Sequence, residues 1–203
     1  EFTNTKITDK VCILPFEGIV NGNDVIKQII TNDRNIIGSP TRVMFRSKNL
    51  PTASFGDYKF ITDLEMWIRH LCVGNCFFYT EILAYGRVHE GQQQVISKKY
   101  SEDRIEYYRL YKNLSKGIYK IDNKINNNRL LKNSVKRMAI KCTYCFYKHL
   151  PKISSPRYRK STYNLFKIAI NEKVIFSPYI FQFFRKGLDK NKNTHNYTQA
   201  FEA

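Results

Sequence analysis

Nothing in the chain approaches the roughly 20 consecutive apolar residues that a membrane-spanning helix needs. The longest candidate, Val174 to Phe184, is interrupted by Pro178 and Gln182. Such a segment can lie on a bilayer but not cross one. Glu1 to Lys10 shows no signal-peptide or transit-peptide pattern. The cysteines (Cys12, Cys72, Cys76, Cys142 and Cys145) are an odd number without a regular framework, which argues for reduced cytoplasmic thiols rather than disulfides. There is no internal repeat. There is also no RNP motif, zinc finger or helix-turn-helix signature, so nucleic acid is a weak candidate partner.

Acidic residues are scarce in one half only. The 203 residues carry a net charge of +17. Residues 1–95 hold ten Lys/Arg and ten Asp/Glu, whereas residues 96–203 hold 24 Lys/Arg and seven Asp/Glu. The excess should draw the second half to a polyanion: a phospholipid headgroup, a lipid pyrophosphate or a nucleic acid. Hydrophobic residues make up 42% of the chain and aromatics 14%, enough to build a core.

Val11 to Val20 reads as a strand and bend. Asn21 to Asp24 supplies a turn and an N-cap for a helix carrying Val25, Ile26, Ile29 and Ile30. Asn35 to Pro40 reads as a loop, and Thr41 to Arg46 alternates like a strand. Thr62-Asp63-Leu64-Glu65 has capping-box spacing. It opens a helix with Leu64, Trp67, Ile68, Leu71 and Cys72 on one face, and Gly74 is placed to end it. Cys76 to Thr80 and Ile82 to Val88 are β-rich, and His89 to Lys99 reads as a polar loop. Helices are expected over 102–114, 129–150, 162–170 and 178–186, with Ser101 and Ser177 as N-caps and 122–128 as a linker. Residues 188–203 are expected to be frayed. The division is therefore a mixed α/β part over residues 1–95 and a basic helical extension over 96–203.

Three blocks carry a resemblance to the family 2 glycosyltransferases. The first is Ile37-Gly38-Ser39-Pro40-Thr41-Arg42-Val43-Met44-Phe45-Arg46. The second is Thr62-Asp63-Leu64-Glu65-Met66-Trp67-Ile68-Arg69, and the third runs from Glu81 to Gln92 and contains Arg87-Val88-His89. They stand in the family's order, at about its spacing, over about 60 residues. The resemblance implies an α/β fold, part of a Rossmann-like GT-A sheet. It implies inverting transfer of a sugar from a nucleotide-sugar donor to a saccharide or lipid-linked saccharide acceptor. Asp63 would be the general base that takes the acceptor's proton. His89 would help hold a divalent cation, Mn²⁺ or Mg²⁺, on the donor diphosphate. Gly38, Ser39, Pro40 and Thr41 would shape the floor of the site. Arg87 would offset diphosphate charge, Gln92 would belong to a flap over the donor, and Trp67 would stack on an acceptor sugar.

Simpler roles stand beside these. Asp63 and Glu65 also suit a helix N-terminus, and Trp67 lies on the apolar stripe, as a core residue would. His89 also fits a polar strand end, Arg87 a salt bridge, and Ser39 a plain turn. Cys142-Thr-Tyr-Cys145 with His149 superficially resembles a metal site but falls within an expected helix.

The eight aspartates include no D-x-D pair, the family's donor-metal motif. That half of the enzyme is expected upstream of Glu1, leaving the chain inactive alone. The aromatics interleaved with Lys/Arg, among them Phe176, Tyr179, Phe181, Phe183 and Phe184 before Arg185-Lys186, suit an interfacial helix on an anionic leaflet. The expected location is the cytoplasm, at most peripheral on the inner face of the cytoplasmic membrane. The alternative function is a non-catalytic basic module for an anionic membrane or nucleic acid.

Overall fold

The computed structural model describes residues 17–46, 58–79, 81, 93–119, 121 and 128–182. Among these the chain is mostly helical with one small sheet. Strand β1 (Gly18–Val20) pairs antiparallel with β2 (Cys76–Phe78), placing Ile19 opposite Phe77. Between them lie α1 (Gly22–Asn32), a 3₁₀ turn (Pro40–Arg42) and α2 (Thr62–Leu71). Helices α3 (Gln93–Tyr100), α4 (Glu102–Ser115), α5 (Asn128–His149) and α6 (Pro156–Asn171) follow, and residues 179–182 are helical as well. The expected segments 11–16, 82–88, 122–127 and 183–203 lie outside the described residues.

Asn21 caps α1 as its residue type predicts, its side-chain oxygen accepting the N–H of Asn23 at 2.9 Å. Val25, Ile26, Ile29 and Ile30 are all buried. Eleven residues make a marginal helix in water. Burial of each such side chain, worth roughly 1.5–3 kcal/mol, is what holds α1 in place. Its neighbour is the end of α2, and the approach is tight at Gly22. A Cβ there would lie 2.1 Å from the carbonyl oxygens of both Leu71 and Gly74.

The two stretches of unlike charge share one core. Residues of α1 and α2 join Leu110, Tyr111 and Leu114 of α4, Leu131, Val135 and Met138 of α5, and Leu165 and Ile168 of α6. Helix α5 lies along both α4 and α6 and also meets α1. There Asp33, in the left-handed conformation (φ 48°) after α1, accepts from Arg137 at 2.7 and 2.9 Å and from Lys141 at 2.6 Å. Arg137 also donates to the free carbonyl of Ile30 at 2.6 Å, closing the helix end.

The Asp33 side chain is 3% exposed. Burial opposes its ionisation, but the hydrogen bond from Arg137 and the charges of Lys141 and Arg137 outweigh that and hold its pKa below the usual value. Burial, helped by the charges of Arg104 and Arg137, pulls Lys141 below its own usual value despite the pull of Asp33 the other way. Arg137, bound through two nitrogens, is the principal partner.

Several local expectations are corrected. Helix α3 occupies residues read as part of a polar loop, because Val95, Ile96 and the lysines tolerate a helix that neighbouring α4 and α6 support. Helix α6 begins at Pro156, six residues before its expected start, with proline in the first turn where its missing N–H costs nothing. Thr41 to Arg46 forms the 3₁₀ turn and an extended stretch instead of a strand, with Met44 exposed. Alternation marks extended backbone but does not supply a ladder partner. Helix α2 ends at Leu71 with Cys72 as its C-cap, so Gly74 follows the helix end rather than making it.

Candidate functional site

The site is built on the start of α2. No capping box forms there. Ile61 occupies the N-cap position, and the Thr62 hydroxyl donates backward to the carbonyl of Tyr58 at 2.5 Å. Glu65 is buried, paired with Arg69 at 2.5 Å and accepting from the Tyr119 hydroxyl at 3.0 Å. The cap comes from α4 instead. Both oxygens of Glu106 accept backbone N–H groups, those of Lys59 (2.8 Å), Phe60 (2.7 Å) and Ile61 (3.2 Å). A carboxylate at that end also complements the helix dipole.

Asp63 sits in the first turn, half-buried, its Oδ1 accepting the N–H of Leu64 at 2.8 Å. Burial raises its pKa above the usual value, partly offset by backbone hydrogen bonds from Leu64 and from its own N–H. The charge of Asp63 reaches Tyr107 of α4, whose phenol is pushed up to about 12 by burial and by the charges of Asp63 and Asp103. The Tyr107 oxygen also meets the backbone N–H of Asn35. Asp63, Tyr107 and the Asn35 loop therefore form one neighbourhood.

That loop is rigidly tied. The Asn35 side-chain oxygen accepts from the N–H groups of Ile37 (3.0 Å) and Gly38 (3.1 Å), and its amide donates to the Gly38 carbonyl at 3.2 Å. The same carbonyl accepts the Trp67 indole N–H at 3.1 Å. Gly38 has φ 102°, a conformation that side-chain-bearing residues rarely adopt. Beyond it Ser39, Pro40 and Thr41 are exposed, with the Ser39 and Thr41 hydroxyls 2.9 Å apart.

The structure thus brings Gly38, Ser39, Pro40, Thr41, Asp63 and Trp67 into one region. Trp67 is only 2% exposed. Its indole anchors the loop, and Phe45 and His70 lie near its ring. It offers no open face for a sugar. Arg87, His89 and Gln92 lie outside the described residues. Glu106 and Tyr107 were missed because no local pattern links α4 to α2.

Among the described residues, no group of three or more His, Cys, Asp or Glu side chains is arranged to hold a metal ion. His149 turns its Nε2 to the Ser101 hydroxyl at 3.3 Å, and the Cys142 thiol faces the carbonyl of Arg104 at 3.6 Å. Cys72, Cys76, Cys142 and Cys145 are free thiols. Among the described residues, no helix is long and apolar enough to cross a membrane. No family model, curated protein or solved structure matches the chain.

Proposed function

We propose that the chain is the acceptor-side portion of an inverting glycosyltransferase, with a GT-A, Rossmann-like architecture in the complete enzyme. One observation carries the reading: the Trp67–Gly38 hydrogen bond joins two of the three sequence blocks that carry the resemblance. It sets the Asp63 helix start beside the glycine-proline loop. The raised pKa of Asp63 also supports it, because desolvation makes the carboxylate a stronger base than one in water.

In this reading an acceptor hydroxyl lies against Asp63. Its oxygen attacks the anomeric carbon of the donor as the proton passes to the Asp63 carboxylate. The bond from that carbon to the diphosphate breaks, and the diphosphate leaves with the electron pair. Glu106 holds the helix start in position, and the Asn35–Gly38 carbonyl clasp fixes the opposite wall. A divalent cation would offset charge on the departing diphosphate. The described residues present no donor set for it.

The test is transfer from nucleotide sugars by the full-length protein and its Asp63→Asn variant. Asparagine can still accept the Leu64 N–H, so the fold should stand. Loss of the base should lower kcat by about 10²–10⁴ while leaving donor affinity unchanged. Unchanged turnover removes Asp63 from the mechanism.

The alternative is a non-catalytic basic module, favoured by the charge of the second half. Its membrane form is compatible with the transferase reading, and its nucleic-acid form is not needed by it.

A further inference from the structure

The outward side of α6 is apolar as well as basic. Tyr163, Phe166 and Ile170 recur at helical spacing and are exposed. Arg159, Lys160 and Lys167 are exposed beside them, with the Lys167 ammonium 4.3 Å from the centre of the Tyr163 ring. Beyond α6 the chain turns through Lys173, in the left-handed conformation at φ 55°. It then presents Phe176, 86% exposed, and Tyr179. An open groove of about 600 Å³ includes Ile170, Lys173, Phe176 and Tyr179, with Lys136 of α5 at its side. Ile170 belongs to both the stripe and the groove, so the surface is continuous.

Its charge has one sign. Residues 128–182 contain twelve Lys/Arg and one acid, Glu172. That acid is turned inward, accepting from the Tyr108 hydroxyl at 2.7 Å and from Lys112 at 2.5 Å on α4. The inward-facing Arg137 and Lys141 are matched by Asp33, and the exposed Arg157 by Glu102. The lysines beside the aromatic stripe have no such acid on their own helices.

We infer that the outer face of α6 and the following turn dock onto an anionic phospholipid leaflet, with Phe176, Tyr179 and Phe166 entering the headgroup boundary and Lys136, Lys160, Lys167 and Lys173 engaging lipid phosphates. A bilayer fits both halves of the pattern. The stripe also carries the exposed aliphatic Ile170 between its aromatic tips, hydrocarbon that bases stacking on those rings would leave in water, while the lysines have no use on a neutral apolar partner. The surface uses none of the residues assigned to sugar transfer.

The experiment is sedimentation of the purified 203-residue chain with extruded vesicles. Vesicles of 70:30 phosphatidylcholine and phosphatidylserine are compared with pure phosphatidylcholine, at low and high salt. Binding is expected only on the anionic vesicles, weakening as salt rises. Lys167→Ala with Lys173→Ala should lower the partition coefficient by about 25-fold, from roughly fivefold per lysine. Phe176→Ser with Tyr179→Ser should weaken binding at least about tenfold while leaving its salt dependence in place. Circular dichroism checks that each variant folds, and every position changed is exposed. Absence of pelleting on anionic vesicles, equal pelleting on neutral ones, or loss of binding only to RNA in the lysine variant overturns the inference. The assay reads no sugar transfer, so its failure leaves the Asp63 reading standing, and the reverse holds.

Discussion

Glu106 reaches 46 residues back along the chain to take the backbone N–H of Phe60 at 2.7 Å, and its second oxygen takes that of Lys59. The start of α2 is therefore fixed by tertiary structure. A local cap would fray with its own helix, whereas this one is lost only if α4 separates from α2.

Replacing Glu106 by alanine leaves three backbone donors without their acceptor. The loss should be about 3 kcal/mol of folding stability, since hydrogen bonds to a charged group are worth roughly 1.5–3 kcal/mol each and water will reach some of the freed donors. Glu106→Gln keeps one acceptor oxygen and should lose about half as much. Urea unfolding followed by Trp67 fluorescence checks both, as a shift in midpoint with unchanged slope. An alanine variant as stable as the parent would show that the cap is dispensable.

Two glycines separate crowding from backbone conformation. Gly22→Ala drives a methyl group into two carbonyl oxygens of the α2 end and should cost several kcal/mol or prevent folding. Gly117→Ala meets open space but must adopt φ 72°, and should cost about 1 kcal/mol. Comparing the thermal midpoints of the two variants tests the order; a Gly22 variant as mild as the Gly117 one contradicts the close approach of α1 and α2.

His149 is 3% exposed, and its Nδ1 has no hydrogen-bond partner among the described residues. Burial, with the nearby charges of Lys152 and Lys148, lowers its pKa to about 4. The unfolded chain takes up this proton near the ordinary histidine value of 6.5 and the folded chain only near 4, so stability should fall as pH drops through that window. His149→Gln should flatten the decline in Tm between pH 6.5 and 4 measured by calorimetry. A decline equally steep in the variant places the proton elsewhere.

What could be read from the sequence was what local spacing encodes. The apolar period of α2 and the capped start of α1 appear where the spacing puts them, as do α4 and α5 to within a residue. The Thr62–Glu65 spacing was present, yet Thr62 and Glu65 both found other partners: Tyr58 behind and Arg69 with Tyr119 beside. A one-dimensional pattern cannot show which of several acceptors lies closest in space. The same limit hid Tyr107 and Glu106, whose roles depend on α4 folding back on α2. It also hid Asp33 as the partner of Arg137 across 104 residues. For Trp67, the choice between core and ligand contact was open in the sequence; burial and the bond to Gly38 place it in the core.

The Asp33 clasp has a bearing on synthesis. On the ribosome, α1 emerges with its isoleucines and Asp33 long before Arg137 and Lys141 leave the exit tunnel. Until then its greasy stripe has only part of its eventual cover, and the carboxylate has neither of its cations. Helix α1 must therefore wait, partly open and open to chaperone capture, for two side chains more than a hundred residues later. A nascent chain stalled before α5 should be far more sensitive to protease than one stalled after it.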